Sequence, residues 1–355
     1  MDAKKSLAEF KKEIDVEIEE YLDKVIRESR KRDALTTETL RHVKKIVLAG
    51  GKRLRPALMY WGYIAAGGRE RKKIIKTAVS IELIHLFLLI HDDIIDRDCK
   101  RHGINTINFE YEKLGKKLFP GSDSKHFGNS VAIIVGDMVG ALGNQIIFNS
   151  GFSSRLIMKA LSRLQSIVSL TVVGQAKDIY LEYRRKASEK EILEMYEYKT
   201  AKYTMEGPLH LGAILGGGDE KILQGLNKFA VPVGIAFQIQ DDILGVFGSE
   251  KKLGKAVGSD IQEGKQTLLV VKAKEKGSQA QRKKISELLG KNDITLKDIR
   301  YFQEIVKDTG SLEYAQNLAK KLILQGKREL EKIEVKKEAR EFLAGIAEYM
   351  VSREI

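Results

Sequence analysis

The sequence predicts an all-α protein. Apolar residues recur at spacings of three and four from about residue 4 to residue 352, which is the pattern of amphipathic helices. Strand signals are few, and the most β-like stretch, VAIIV at 131–135, lies inside a longer helical pattern. Only 4 prolines occur, and Lys and Glu alternate with Leu and Ile, which also favours helix. We therefore expect one domain, 1–355, built as a bundle of about a dozen helices.

Glycine-rich segments mark the expected breaks between these helices. They are AGGK at 49–52, AAGGRE at 65–70, LFPGSDSKHFGNS at 118–130, LGGGDE at 215–220 and GSEKKLGKAVGSD at 248–260. The break at 118–130 is interpreted as a loop without an assigned role. The Lys/Glu-rich stretch from about 278 to 352 predicts C-terminal helices, also without an assigned role.

Composition narrows the class of function. The net charge is +13, but the lysines are scattered among glutamates, so we expect anionic small molecules rather than nucleic acid as partners. A single cysteine, Cys99, excludes an intramolecular disulfide and fits a reducing cytoplasm. The charged start of the chain lacks a signal-peptide core, and no 18 apolar residues follow one another. We therefore expect no transmembrane segment.

The stretch HDDIID at 91–96 places several aspartates at the end of the apolar run IELIHLFLLI. Asp92 and Asp96 are four residues apart and share one face of a helix, where like charges repel. A divalent cation that prefers oxygen ligands reverses this penalty, and Mg²⁺ typically joins one or two carboxylates to substrate phosphates. Asp93 is placed to orient these ligands. An acidic helix end exposed to solvent is the alternative interpretation.

A second acidic pair, Asp241 and Asp242, follows another apolar helical run in FQIQDDILG at 237–245. Two such pairs at the inner ends of apolar helices indicate facing walls of one cavity, where several Mg²⁺ ions can hold a polyanion. Basic residues beside glycines are suited to the same polyanion. These are Lys52, Arg53 and Arg55 in GGKRLRP, Arg101 in KRHG, Lys199 with Thr200 in YKTAKYT, and Lys255 and Lys265 in GKAVGSDIQEGKQT.

In order and spacing, these motifs resemble those of the trans-isoprenyl diphosphate synthases, the polyprenyl synthetase family. VGD at 135–137 and GQAKD at 174–178 extend the resemblance, which covers about 45–270. It implies an isoprenoid-synthase-type helical bundle around a deep central cavity, usually as a homodimer. The implied reaction is Mg²⁺-dependent head-to-tail condensation of isopentenyl diphosphate with an allylic diphosphate.

The resemblance also implies roles for individual residues. Asp92, Asp96, Asp241 and Asp242 would bind two or three Mg²⁺ ions, with Asp241 as the main ligand of the second pair. The allylic diphosphate would be held by Arg101, Lys199, Thr200, Gln238, Lys255 and Lys265. Isopentenyl diphosphate would be held by Lys52, Arg55 and His85, together with His102, which replaces the second arginine of the family pattern. Gly245 is another departure, since many members have a third aspartate there.

Product length is expected to depend on Phe87 and Leu88, five and four residues before Asp92. In the family a bulky residue at the first of these positions forms the floor of the tunnel for the hydrocarbon tail. One aromatic residue, with no insertion in DDIID, resembles archaeal geranylgeranyl diphosphate synthases and predicts a C20 product. Ordinary core packing is the other interpretation of Phe87.

Several alternatives remain open at the level of sequence. A farnesyl or longer-chain synthase of the same family differs only in tunnel depth. The HD pair at 91–92 could belong to a metal-dependent phosphohydrolase, although the chain has only 6 histidines. A non-catalytic regulatory subunit could lose its acidic pairs, whereas this chain keeps both.

Overall fold

A computed structural model describes residues 2–248 and 257–351, and its helices confirm the all-α class. Lys255 lies outside the described residues. Within them the helices are α1 Ala3–Ser29, α2 Ala34–Leu48, α3 Leu54–Ala65, α4 Arg71–Ile95, α5 Ile107–Leu118, α6 Ser124–Phe148, α7 Ser154–Arg184, α8 Glu189–Tyr196, a π-helix Glu197–Glu206, α9 Gly207–Leu215, α10 Glu220–Phe247, α11 Ser259–Glu263, α12 Leu268–Lys276, α13 Gln279–Leu288, α14 Leu296–Asp308, α15 Ser311–Glu331 and α16 Lys337–Val351.

Side-chain caps set where several helices begin. The carboxylate of Asp33 accepts a hydrogen bond from the Thr36 N–H at the start of α2, and Asp123 accepts one from the His126 N–H. Because Asp123 caps α6, the helix begins at Ser124. The prediction of a loop over 118–130 is therefore wrong for its second half, and the connection between α5 and α6 is short. VAIIV at 131–135 lies in α6, as predicted.

A short hairpin follows α4 and was not predicted. Lys100–Arg101 pairs antiparallel with Ile104–Asn105, and the turn between the strands contains His102 at φ +50° and Gly103 at φ +79°. Few residues other than glycine adopt positive φ values at low energetic cost. The hairpin turns the chain back toward α4, so that Arg101 and His102 lie beside the helix that carries the first acidic pair.

The interface between α4 and α6 depends on glycines. A Cβ atom on Gly140 would lie 3.2 Å from Cγ of Phe87, and one on Gly136 would lie 2.6 Å from the His91 ring. Because α6 has no side chain at Gly136 and Gly140, the two helices approach closely there, and Phe87 and His91 fill the space between them. These two rings pack edge to face at 5.0 Å between centroids.

The apolar core runs through the whole described chain. Buried residues of α1, of the motif-bearing helices and of α16 belong to one contiguous cluster. The C-terminal helices cover the motif-bearing part, with α15 packed along α10 and α16 against α1. This continuity supports one domain over 1–355, which stays a prediction.

Four helices are long and apolar enough to cross a membrane by length and composition alone, namely α4, α6, α7 and α10. Two of them are core helices, since 67% of the apolar window of α4 and 72% of that of α10 are buried within the bundle. The corresponding shares are 39% for α6 and 22% for α7, so these two helices present apolar side chains outward. The apolar windows are not evidence of membrane spans.

Candidate active site

A cavity of about 160 Å³ lies between the ends of α4 and α10. Both acidic motifs contribute to its wall, as do the π-helix and the segment after Gly258. The lining residues are Asp92, Asp96, Asp178, Met195, Tyr196, Lys199, Gln238, Asp242, Asp260, Glu263, Lys265, Gln266 and Thr267. The structure thus brings six of the predicted site residues from distant parts of the chain to one cavity, namely Asp92, Asp96, Lys199, Gln238, Asp242 and Lys265.

The first acidic pair occupies the last turn of α4, where Asp96 is the C-terminal cap. Oδ1 of Asp92 accepts a hydrogen bond from Nε2 of Gln175 on α7 at 2.9 Å. Oδ1 of Asp96 accepts one from Nζ of Lys265 at 2.9 Å. Each carboxylate thus has a donor from a different element, and the ammonium group of Lys265 offsets part of their mutual repulsion.

Asp93 points away from this cavity and is only 2% exposed. It accepts hydrogen bonds from Nη2 of Arg101 and, at 2.9 Å, from Nε of Arg101. Burial raises the pKa of Asp93 to about 6, although Arg101 acts in the opposite direction. The contact fixes the direction of Arg101, which the sequence predicts as an allylic diphosphate ligand.

Asp242 is the member of the second pair that lines the cavity, while Asp241 is half-buried beside it. The Asp242 carboxylate accepts hydrogen bonds from Tyr196 Oη and, at 2.8 Å, from Nε2 of Gln238. Gln238 in turn accepts one from Oγ1 of Thr200 at 2.6 Å. Burial and the nearby Asp260 carboxylate raise the pKa of Asp242 well above its usual value. A cation in the cavity would lower it again.

The structure gives a local reason for Gly245. A Cβ atom at this position would lie 2.7 Å from Oδ2 of Asp260, so the Asp260 carboxylate occupies the space that a side chain at 245 would enter. Asp260 lies on α11 and lines the cavity. The acidic group that the second motif lacks at Gly245 is thus matched by one from another element.

Lys199 and Lys265 meet at Asp178, which is 4% exposed. Nζ of Lys199 lies 2.5 Å from Oδ2 of Asp178, and Nζ of Lys265 lies 3.5 Å from the same atom. Burial tends to lower the pKa of both lysines, but the neighbouring carboxylates outweigh it and the net effect raises each pKa. Both ammonium groups are therefore charged at neutral pH.

The π-helix places Lys199 at the cavity, and Thr200 behind its wall, where it donates to Gln238. It widens the continuous helix that runs from α8 into α9, and π segments often occur at functional sites. Gly174 on α7 touches the backbone at Lys199 so closely that a Cβ would collide with it. The glycine of GQAKD therefore allows α7 to bring Gln175 and Asp178 next to Lys199.

A second, smaller cavity of about 40 Å³ is lined by Arg101, which does not line the first cavity. Its lining includes Gly50, Gly51, His85, Arg101 and His102. The His102 ring lies over Gly50, where a Cβ would come within 2.5 Å of Cγ. Burial and Arg101 lower the pKa of His102, and burial and Arg55 lower that of His85 well below its usual value.

Arg55 and Lys52 border this region without lining the small cavity. Nη2 of Arg55 donates to Oγ1 of Thr204 at 2.7 Å, and its guanidinium lies 4.8 Å from the centroid of the Tyr203 ring. The ring of His85 lies 5.9 Å from the same tyrosine. Nζ of Lys52 lies 5.7 Å from the ring of Tyr349 on α16.

Phe87 and Leu88 lie one turn before the first acidic pair and are half-buried. Phe87 faces α6 at Gly140, and both residues pack against the apolar core. Neither residue lines the two cavities described above, and the tunnel floor stays a prediction.

The donor set suits a hard divalent cation. Carboxylate oxygens are the ligands that Mg²⁺ prefers, and the cavity presents them beside ammonium groups. Within residues 2–248 and 257–351, no three His, Cys, Asp or Glu side chains converge closely enough to hold an ion by themselves. Substrate phosphate and water would therefore have to complete the coordination, which is the usual arrangement for Mg²⁺.

The model of the polyprenyl synthetase family matches residues 37–306, most of the chain. The chain belongs to this family. Family membership confirms the predicted resemblance and excludes the HD-type phosphohydrolase.

Individual relatives and solved structures support the same family assignment. The chain is 35% identical to a geranylgeranyl diphosphate synthase of Methanosarcina mazei over 87% of its length and 88% of the relative's. It is 33% identical to a geranylfarnesyl diphosphate synthase of Aeropyrum pernix, with 87% and 92% covered. A geranylgeranyl pyrophosphate synthase from Corynebacterium glutamicum, solved with isoprenyl diphosphate and magnesium, matches with a TM-score of 0.92 at 31% identity. That alignment covers 98% of this chain and 99% of the other.

Sequence reasoning missed several residues of this polyprenyl synthetase site. Gln175 and Asp178 lie in a motif noted for its resemblance, but neither was assigned a role. Tyr196 lies three residues before Lys199, the spacing of one helix face, yet a tyrosine there also suits ordinary core packing. Asp260 lies in GSD at 258–260, a stretch that also matches the family pattern, but it was assigned no role, because its contact with the position of Gly245 exists only in the fold.

Proposed function

We propose that this polyprenyl synthetase condenses isopentenyl diphosphate head to tail with allylic diphosphates in the presence of Mg²⁺, and that its main product is geranylgeranyl diphosphate. The observation that carries the proposal is the cavity in which Asp92, Asp96 and Asp242 face Lys199 and Lys265 next to the apolar helix α4. This arrangement suits a diphosphate with metal ions at one end and a hydrocarbon tail at the other.

In this proposal, Asp92, Asp96, Asp241 and Asp242 hold two or three Mg²⁺ ions. Bound Mg²⁺ neutralises the charge that develops on the departing diphosphate. Lys199 and Lys265 hold diphosphate oxygens as permanently charged donors, and Thr200 and Gln238 keep Asp242 in place through their hydrogen-bond chain. Arg101, held by Asp93, lines the small cavity and would add its charge to the diphosphate bound there.

The site proposed for isopentenyl diphosphate contains unsatisfied donors. Nδ1 of His85 and Nε of Arg55 are buried and have no hydrogen-bond partner among the described residues. Buried polar atoms without partners are costly, and a bound ligand can satisfy them. Lys52 and His102 complete this site at its solvent-facing edge, where both side chains are exposed.

The chain's contribution to the reaction is positioning and charge. The allylic C–O bond ionises as the cationic residues stabilise the leaving diphosphate, and the double bond of isopentenyl diphosphate then attacks the allylic cation. Transfer of one proton from the adduct to the released pyrophosphate gives the longer diphosphate. No side-chain nucleophile is required, so Cys99, which is exposed, has no part in the reaction.

The C20 product rests on Phe87. Its ring fills the α4–α6 interface beside Gly140, five residues before Asp92, and would stop the growing tail there. A C25 product, as named for the Aeropyrum pernix relative, would need more room at this point.

One assay tests the proposed function. The protein is incubated with labelled isopentenyl diphosphate, Mg²⁺ and a C5, C10 or C15 allylic diphosphate, and the products are sized. We expect C20 to dominate with every starter. Mainly C15 or C25 would place the chain elsewhere in the family, and no product would favour the regulatory-subunit alternative.

We also propose that the protein acts in the cytoplasm as a homodimer formed through α6 and α7. The two helices expose large apolar side chains, among them Ile134 at 68%, Phe148 at 64% and Met158 at 63%. Monomers rarely leave extended apolar patches uncovered. Light scattering coupled to gel filtration should give a molar mass twice the 40.0 kDa of one chain. The Ile134→Glu variant should elute as a monomer with the mass of one chain. A wild-type monomer would refute the dimer.

A further inference from the structure

Arg53 differs from the other two cations of GGKRLRP. Lys52 is exposed and Arg55 is half-buried, whereas Arg53 is only 3% exposed. Its side chain turns away from the solvent and forms part of the wall of the small cavity. A buried guanidinium needs partners for its donors, because an unpaired buried charge is strongly unfavourable.

Three elements supply those partners. Nε of Arg53 lies 2.6 Å from Oδ1 of Asp15 on α1, and Nη1 lies 2.6 Å from Oε1 of Glu82 on α4. Nη2 donates to the carbonyl of Val47 in α2 at 2.5 Å. The other oxygen of Asp15 pairs with Lys11. The planar fork of arginine suits such divergent contacts, which lysine cannot reproduce.

The backbone of the loop is built around this side chain. Arg53 has φ +55° and ψ +35°, a left-handed conformation that is uncommon for a residue with a Cβ. Gly51 has φ +93°, and a Cβ there would lie 2.9 Å from Nη1 of Arg53. Such conformations persist where surrounding contacts impose them. The three contacts of the guanidinium therefore fix the path of residues 50–53.

The same contacts link the two halves of the proposed isopentenyl diphosphate site. Glu82 lies three residues before His85, on the same side of α4, and Arg53 lies between Lys52 and Arg55. Gly50, Gly51, Arg53, Glu82 and His85 line one small cavity. A shift of Arg53 would change the distance between the loop cations and His85.

We infer that Asp15, Arg53 and Glu82 form a clamp through which α1 positions the isopentenyl diphosphate site. The inference rests on the proposed function and adds a segment to it, because α1 lies outside residues 37–306, the part that the family model matches. Asp15 is a positioning residue because it does not line the small cavity. Arg53 lines the cavity, but it is also a positioning residue because each nitrogen of its guanidinium donates to a protein group.

Asp15→Asn tests the clamp, because it keeps the side-chain shape but removes the charge that α1 presents to Arg53. Asp23→Asn is the matched control, since Asp23 also projects from α1 and pairs with Lys44 of α2 at 2.7 Å, away from the loop. We expect Asp15→Asn to raise the KM for isopentenyl diphosphate about tenfold, with kcat and the allylic KM nearly unchanged. Asp23→Asn should leave all three constants unchanged. Arg53→Lys should resemble Asp15→Asn.

Equal increases in both KM values, or an effect on melting temperature alone, would overturn the clamp. Hydrogen exchange of the amides at 50–53 gives a readout that does not depend on turnover, and we expect faster exchange in Asp15→Asn than in Asp23→Asn. Identical exchange in the two variants would also overturn it. If the wild type makes no product, the proposed function fails, while the exchange experiment still decides whether the clamp orders the loop.

Discussion

Replacing Phe87 by alanine should lengthen the product by one isoprenyl unit. The phenyl ring packs edge to face on His91 and fills the gap beside Gly140, where α6 has no side chain of its own. Removing the ring leaves space at the point where the C20 tail would end. The prediction follows from the position of this one side chain between the acidic end of α4 and the core.

The magnitudes favour a clear shift. An additional isoprenyl unit has five carbons, and at about 0.8 kcal/mol per buried CH₂ its burial contributes up to about 4 kcal/mol, or roughly a thousandfold in partition. Truncation of a fully buried Phe costs about 3–5 kcal/mol, and we expect about half of this for the half-buried Phe87. The melting temperature should therefore fall by only a few degrees, and the fold should survive.

The assay is the size distribution of products from labelled isopentenyl diphosphate and a C15 starter. Phe87→Ala should move the main product from C20 to C25. Gly140→Ala perturbs the same contact from the other side, because its Cβ would press on Phe87 from 3.2 Å, and it should not lengthen the product. Phe302→Leu, a change at a buried ring of α14, controls for general destabilisation.

Unchanged chain lengths in Phe87→Ala, with C20 still dominant, would refute the floor assignment. Longer products from Phe302→Leu as well would mean that loosening of the core, rather than space at Phe87, controls termination.

Three other substitutions test separate parts of the site. Asp92→Ala should abolish turnover and leave the helical circular dichroism intact, so near wild-type rates in saturating Mg²⁺ would count against the metal role. His102→Arg should lower the KM for isopentenyl diphosphate about threefold to tenfold at pH 8, because the lowered pKa of His102 leaves the imidazole neutral there. Because the pKa is lowered, the advantage should shrink only as the pH falls well below 6.5 and the imidazole gains a proton, and a ratio that stays constant down to the most acidic pH at which the enzyme is active would contradict this reasoning. Tyr196→Phe removes a buried hydroxyl that donates to Asp242 and accepts from the Leu268 N–H at 2.9 Å. It should cost about 1–3 kcal/mol in urea unfolding, and an unchanged unfolding midpoint would argue against these bonds.

The sequence predicted the helical class because the apolar period of three to four residues is local information. It also predicted that Asp92, Asp96 and Asp242 share a site, since two acidic pairs at the ends of apolar helices are costly unless they do. The directions of individual side chains were less accessible. Lys52, Arg53 and Arg55 look equivalent in GGKRLRP, and only the left-handed backbone at Arg53 separates the buried one from its neighbours.

Other features depend on contacts between distant segments. The π-helix at Glu197–Glu206 keeps an ordinary helical pattern in sequence, and its widening reflects the close approach of Gly174 on α7. The contact of the Asp260 carboxylate with the position of Gly245 is visible only once α11 is placed beside α10. The boundary of α6 was misjudged because Gly121, Ser122 and Gly128 suggested a long loop, whereas Asp123 is a helix cap.

The contact between Lys265 and Asp96 has a consequence for turnover. Lys265 is the proposed partner of a diphosphate and already the counter-ion of a proposed metal ligand. Lys265 cannot pair fully with Asp96 and with a diphosphate at the same time. Substrate binding must therefore weaken the ion pair between Lys265 and Asp96 while Lys265 pairs with the diphosphate. As pyrophosphate leaves, the ion pair between Lys265 and Asp96 forms again. Asp96 therefore competes with pyrophosphate for Lys265, and this competition would aid release of the by-product.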